Sequence, residues 1–231
     1  MIVLGLTGSI GMGKSTVAAM MRILGLPVHD SDEAVHRLLR PKSQAWDGLL
    51  AAFPAREYPQ VYERKTLKVN RQELGALVFA DQVLRFRLEQ VLHPLVRDSQ
   101  ENFLNHCRKK GAEIAVLEIP LLYETGAEKR VDFVLVVSAP RFIQRQRVLA
   151  RPGMDEAKLQ AILLRQMPDI EKRKRADYVI HTGLGRAQSM RELRTIIGNL
   201  RKKEERIGVE TLTEEDQNPQ TMRIQRYEMS R

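Results

Sequence analysis

Ile2-Val3-Leu4-Gly5-Leu6-Thr7-Gly8-Ser9-Ile10-Gly11-Met12-Gly13-Lys14-Ser15-Thr16 decides the fold. Its opening run, Ile2 to Leu6, is apolar on both faces, the pattern of a strand covered from either side, and Thr7-Gly8 is a turn signal. A helix is expected from about Gly13, because Val17, Met20, Met21 and Leu24 recur at i, i+3, i+4 and i+7 before Gly25 supplies a C-terminal cap. Between strand and helix, Gly8 to Ser15 match G-x-x-x-x-G-K-[ST] in the strand–turn–helix setting the motif requires. In such a loop glycines let backbone N–H groups turn inward around phosphate oxygens, and the helix N-terminus adds positive potential. Lys14 reaches the β- and γ-phosphates, the Ser15 hydroxyl can ligate Mg²⁺, and Thr16 can add a phosphate hydrogen bond. The loop implies a nucleoside triphosphate with Mg²⁺ and leaves open what is done with it.

Outward from the loop, strands and helices alternate. Leu26 to His29 is a short second strand, and Asp30-Ser31-Asp32 can cap a helix running to Leu39 before Pro41. Trp46 to Lys68 shows no sustained period. Asn70 to Ala80 and Asp81 to about Lys109 are expected helices, the second kinked at Pro94. Ile114 to Ile119, Phe133 to Val137 and Asp177 to His181 are apolar, β-branched runs expected as buried strands. Met190, Leu193, Ile197 and Leu200 mark a last amphipathic helix, and beyond Glu204 the chain turns polar and aperiodic, as in an extended or disordered tail. This alternation predicts an α/β fold with a doubly wound, parallel five-stranded sheet. Loops starting at Thr7, Asp30, Pro120 and Ser138 should converge at the carboxyl edge, where such sheets bind ligands.

At 231 residues the chain has room for one domain with insertions. No apolar run is long enough for a spanning helix. The N-terminal segment has no basic flank and runs into the glycine-rich loop, so it is not read as a signal peptide and a cytoplasmic protein is expected. Cys107, the single cysteine, can form neither an intrachain disulfide nor a zinc knuckle and is read as a small helix hydrophobe. The net charge of +9 favours anionic partners, but with 5% aromatic residues a stacking platform for single-stranded nucleic acid is disfavoured. From 141 to 175 ten basic residues face four acidic ones, a candidate anion clamp. Asp30 and Asp32 follow the second strand, and spacing alone leaves open which caps a helix and which faces a γ-phosphate. Loop, carboxylates and basic stretch together suit a small-molecule kinase that neutralises phosphate charge and closes a lid.

Several further blocks extend the pattern in order: Val28-His29-Asp30-Ser31-Asp32, Asn70-Arg71, Leu92-His93-Pro94, Ile119-Pro120-Leu121-Leu122-Tyr123-Glu124, Arg147 and Arg151, Gln166, and Glu171 to Asp177. With the loop, these resemble the dephospho-coenzyme A kinase family over about the first two hundred residues. The resemblance implies ATP-dependent phosphorylation of the ribose 3′-hydroxyl of dephospho-coenzyme A, with ATP and Mg²⁺. It places Asp32 at the accepting hydroxyl, and Thr7 and Lys14 on the phosphates. Arg147 or Arg151 becomes the arginine of a mobile lid, and Pro120, Leu121, Leu122 and Glu124 become part of the acceptor pocket. Arg71 and His93 enter as acceptor-side residues.

Three departures from the family pattern stand out: Met12 where a small polar residue is common, Tyr123 for phenylalanine, and His181-Thr182-Gly183 where the family often has asparagine-x-glycine near the ATP base. The Lys172 to Arg175 run reads as mainly solvated. The expected organisation is a kinase domain over 1–203, with a helical acceptor-binding insertion at about 40–110, a lid at about 141–174, and a charged, flexible tail over 204–231. Competing readings are a kinase of the same fold with another acceptor, such as a nucleoside monophosphate or sugar acid, and an ATP-switched nucleic-acid-binding protein.

Overall fold

The apolar runs pair as five parallel strands in the computed structural model, which describes residues 1–216 except 64, 65 and 67, with side chains as far as Glu204. The strands are β1 (Ile2–Thr7), β2 (Val28–Asp30), β3 (Ile114–Glu118), β4 (Phe133–Ser138) and β5 (Tyr178–His181), in the order β2-β3-β1-β4-β5. β1 lies at the centre, with Gly5 opposite Leu117 of β3 and Val134 of β4. The chain leaves β1 for β2 in one direction and crosses over β1 from β3 to β4 in the other. That reversal opens the crevice in which α/β sheets bind ligands, and the glycine-rich loop sits at its mouth.

Helices α1 (Lys14–Ile23) and α9 (Arg186–Asp216) cover one face of the sheet. There Val17 and Met21 of α1 and Leu193, Ile197 and Leu200 of α9 pack on Leu4, Leu6, Leu135 and Val137. The other face is covered by the C-terminal part of α5 (Gln82–Lys109), with Leu104 and Cys107 on Ala115 and Leu117. Cys107 is the buried hydrophobe expected of it. α5 continues through Pro94, and its N-terminal part, with Leu84 and Leu92, joins a third apolar cluster. That cluster gathers α3 (Trp46–Ala52), α4 (Arg71–Ala80) and a 3-10 turn at Pro59–Val61 around Phe53 and Tyr62, whose hydroxyl donates to the Phe53 carbonyl at 2.8 Å. The stretch without periodicity thus folds by tertiary packing.

Four helices border the carboxyl edge of the sheet or lie beyond it: α2 (Ser31–Leu38), α6 (Arg141–Leu149), α7 (Glu156–Leu163) and α8 (Asp169–Arg175). α9 departs from expectation, because it stays helical to Asp216 instead of ending in an irregular tail at Glu204. Charged Glu and Lys residues are good helix formers, so loss of the apolar stripe need not end a helix. The rest of the expected tail, residues 217–231, lies outside the described residues.

Candidate active site

The loop between β1 and α1 is shaped by close backbone approach. A Cβ at Gly8 would lie 2.5 Å from the Val137 carbonyl oxygen of β4. Gly13 caps α1 with φ +95°, a left-handed geometry that side chains disfavour. Ser9, Gly11, Gly13, Lys14, Ser15 and Thr16 line a cavity of about 620 Å³ that α1 enters with its N-terminus, as a phosphate site requires. Met12 turns its side chain away from this cavity, and its sulfur accepts from the Ala139 N–H at 3.1 Å. The unusual residue therefore helps dock the loop on the end of β4.

Thr7 corrects the expectation of a phosphate contact. It is fully buried, outside the cavity wall, and its hydroxyl donates to the Pro120 carbonyl at 3.1 Å, tying β1 to the chain after β3. Gly8 is likewise absent from the wall, but its carbonyl accepts from the Lys14 ammonium at 3.1 Å, so it parks the lysine.

The two aspartates after β2 divide the work that spacing left open. Asp30 is the N-cap of α2, its carboxylate accepting from the Glu33 N–H at 2.9 Å. Asp32, two residues on, turns instead into the cavity. With it stands Glu118, the buried last residue of β3, which sequence reasoning missed. The available signal was an acidic side chain ending an otherwise apolar strand. Burial raises the pKa of both Asp32 and Glu118, with the Lys14 charge opposing the shift in each. Burial lowers that of Lys14, and the two carboxylates pull it back. Two carboxylates and an ammonium thus line one cavity, with Glu118 buried, Lys14 half-buried and Asp32 open to solvent.

The basic stretch closes the cavity from the far side, and its two arginines behave differently. Arg147 is engaged, donating from Nη1 to the Thr182 hydroxyl and from Nη2 to the Thr182 carbonyl, both at 2.9 Å. Thr182 in turn donates to the Met12 carbonyl at 2.6 Å, so Arg147 braces the loop. Arg151 lines the same cavity and has no side-chain partner among the described residues. Of the two, Arg147 is therefore held by the protein and Arg151 is not, among the described residues. Two glutamines hold Ile10 of the loop: Gln144 donates to its carbonyl at 2.8 Å and Gln166 accepts from its N–H at 3.0 Å.

The 172–175 run is mainly solvated, as expected, with Arg173, Lys174 and Arg175 exposed, and Lys172 is the exception. It has no exposed side-chain surface and pairs with Glu124 at 2.8 Å. Glu124 also accepts from the Met167 N–H at 2.8 Å. It is absent from the wall of the loop cavity, and through these contacts it anchors α8 and the end of the basic stretch to the chain after β3. Arg145, Arg173 and Lys174 pair with Glu156, Asp169 and Glu171, so much of the stretch's charge is spent internally.

A second cavity, about 490 Å³, adjoins the first, with Asp32 and Pro120 in the walls of both. His93 and Leu121 line it, together with Val35, Val96, Arg97, Gln100, Lys129 and Arg130. Two expected acceptor residues lie elsewhere. Leu122 is fully buried against Gly5, where a Cβ would meet its Cδ1 at 2.7 Å, so it is sheet core. Arg71 is the exposed first residue of α4, outside either wall.

The family model described as dephospho-CoA kinase matches residues 2–186. A Mesorhizobium japonicum dephospho-CoA kinase is 54% identical over 87% of this chain and 98% of its own length. One from Brucella abortus is 50% identical over 87% and 96%. Among solved structures, a Thermus thermophilus protein has TM-score 0.72 and 35% identity over 86% of this chain and 97% of its own. Dephospho-CoA kinase from Campylobacter jejuni has TM-score 0.63 and 25% identity over 87% and 98%.

Proposed function

Because the chain belongs to the dephospho-CoA kinase family, we propose that its two adjoining cavities hold ATP and dephospho-coenzyme A on either side of Asp32. The enzyme transfers the γ-phosphoryl group of ATP to dephospho-coenzyme A, an alcohol acceptor, giving coenzyme A and ADP. The observation that carries the site reading is the shared wall: Asp32 borders both the loop cavity and the second cavity.

The nucleotide's phosphates lie against the N-terminus of α1, with Lys14 leaving the Gly8 carbonyl to meet the β,γ-bridge. The 3′-hydroxyl approaches from the second cavity, and the Asp32 carboxylate accepts its hydrogen bond and then its proton as the oxygen–phosphorus bond forms. The bond to the β-phosphate breaks in line, and the charge gathering on the leaving oxygen is met by Lys14 and Arg151. Little covalent work falls to the protein in such a transfer, so positioning and charge neutralisation carry the catalysis.

The donor set suits Mg²⁺: the Ser15 hydroxyl and the Asp32 and Glu118 carboxylates are hard oxygen ligands lining one cavity. No group of three or more His, Cys, Asp or Glu side chains among the described residues could hold a metal ion, and Mg²⁺ in phosphate sites commonly takes one or two carboxylates with waters and phosphate oxygens. When bound it would neutralise β- and γ-phosphate charge. No helix of the described residues is long and apolar enough to cross a membrane, and the enzyme is read as cytoplasmic.

ADP release coupled to an indicator, with dephospho-coenzyme A and a panel of nucleoside monophosphates and sugar acids, tests the acceptor. Turnover confined to another acceptor would overturn it. Arg151→Ala should lower the rate at saturation of both substrates by about 10-fold or more, since a charge-neutralising contact is lost. Arg147→Ala should act chiefly through loop order, seen as weaker ATP binding. An unchanged saturated rate in Arg151→Ala would remove Arg151 from the reaction.

A further inference from the structure

The second cavity holds a charge imbalance that the phosphoryl-transfer machinery does not use. Arg97, from the middle of α5, and Lys129 and Arg130, from the 3-10 turn at Ala127–Arg130, all contribute to its wall. None of the three has a carboxylate within ion-pair distance among the described residues. This contrasts with the 141–175 stretch, where several basic groups found acidic partners. Arg97 and Arg130 lie close enough for the Arg97 charge to lower the pKa of Arg130, after burial and against the pull of Glu101. Like charges gathered without counter-ions cost free energy unless a ligand repays it.

The cluster is also built. Gln100, one helical turn beyond Arg97 and only 2% exposed, accepts from Arg130 Nη2 at 2.9 Å. Its amide nitrogen donates to the Ser31 hydroxyl at 2.9 Å. Ser31 is the first residue of α2 and the neighbour of Asp32. A buried side chain thus fixes Arg130 relative to the element that presents Asp32. The remaining lining, Val35, Val96, Ile119, Pro120 and Leu121, is apolar.

From this arrangement we propose that Arg97, Lys129 and Arg130 form a diphosphate subsite that holds the acceptor by its pyrophosphate bridge. The assignment rests on the acceptor reading above. In dephospho-coenzyme A the pyrophosphate hangs from C5′ of the same ribose that carries the accepting 3′-hydroxyl. Gripping one side of the sugar therefore aims the other. Three cations more than balance a diester pyrophosphate's two negative charges, and arginine forks suit phosphate oxygens. Asp32 supplies the chemistry, and the trio supplies selection for an acceptor with a 5′-diphosphate.

The double variant Arg97→Ala/Lys129→Ala leaves Arg130 and its Gln100 tether in place and replaces two exposed side chains. Its KM for dephospho-coenzyme A should rise at least tenfold, with kcat within about threefold and the KM for ATP within about twofold of wild type. The wild-type KM for dephospho-coenzyme A should also rise with NaCl concentration, and the variant should respond much less, because exposed charge pairs are screened by salt. Arg97→Lys should recover part of the lost affinity. A KM within threefold of wild type, or an unaltered salt response, would make the trio a solvated patch and overturn the subsite. Joint collapse of kcat, both KM values and the melting temperature would make the residues structural and overturn it equally. Failure of the underlying acceptor reading looks different, because the wild-type enzyme itself would then not turn over dephospho-coenzyme A.

Discussion

Asp32→Asn is expected to lower the saturated rate by roughly 10² to 10⁴, the range for loss of a general base, while changing the ATP dissociation constant little. Asparagine keeps the shape and a hydrogen-bond acceptor but removes the charge and the place for the proton. The competing role of helix cap is excluded by Asp30, which already caps α2. A role confined to holding Mg²⁺ predicts weaker nucleotide binding and recovery at high Mg²⁺. A Mg²⁺ series of rate and ATP affinity therefore separates the roles, and a near-wild-type rate would refute the catalytic one.

The same residue gives a pH dependence. Burial raises Asp32 above the ordinary aspartate value of about 3.9. Below its own pKa the carboxyl is protonated and cannot take the hydroxyl proton, so kcat/KM should fall on acidification and begin to fall at a higher pH than for an aspartate of ordinary pKa. In Asp32→Asn that limb should flatten. A limb of unchanged midpoint would assign it to another group, with Glu118, raised for the same reason, the first candidate.

Lys14→Ala should cost about 10²- to 10³-fold in kcat, the loss seen when one donor aimed at developing charge is removed from a dry site. The melting temperature should change little, because Lys14 is half-buried at a cavity wall and is not a member of the apolar clusters that hold the sheet. Removing it leaves Asp32 and Glu118 without the cation that opposes their upward shift, so their pKa values should rise further. The acid limb of any residual activity should shift upward with them. Activity within tenfold of wild type would dismiss Lys14 from phosphate chemistry.

The strands, the central loop and most helices were legible in the sequence because each carries a local signal: continuous β-branched runs, a glycine pattern in the required setting, apolar residues at helical spacing. The site was legible only in part. Asp30 and Asp32 could not be told apart two residues from each other until the start of α2 fixed which one faced backbone N–H groups. The Pro120 to Glu124 block reads as one unit, but its members part at the end of β3: Leu121 lines a cavity, Leu122 enters the core, and Glu124 pairs with Lys172. That pairing spans residues far apart in the chain, and burial of a lysine within a run of charges leaves no periodic trace. The trio at Arg97, Lys129 and Arg130 is invisible for the same reason, since two of its members and the third come together only by packing of α5 on the loop after β3.

The common wall of the two cavities has a consequence for inhibition. A single molecule joining a nucleotide-like end to an acceptor-like end, with its bridge passing Asp32, would lose translational freedom once instead of twice. Its second end would then sit at an effective concentration in the millimolar range for a short bridge that fits the span. Such a compound should bind more tightly than either fragment, compete with both substrates in steady-state kinetics, and lose that advantage when the bridge is too short to pass Pro120.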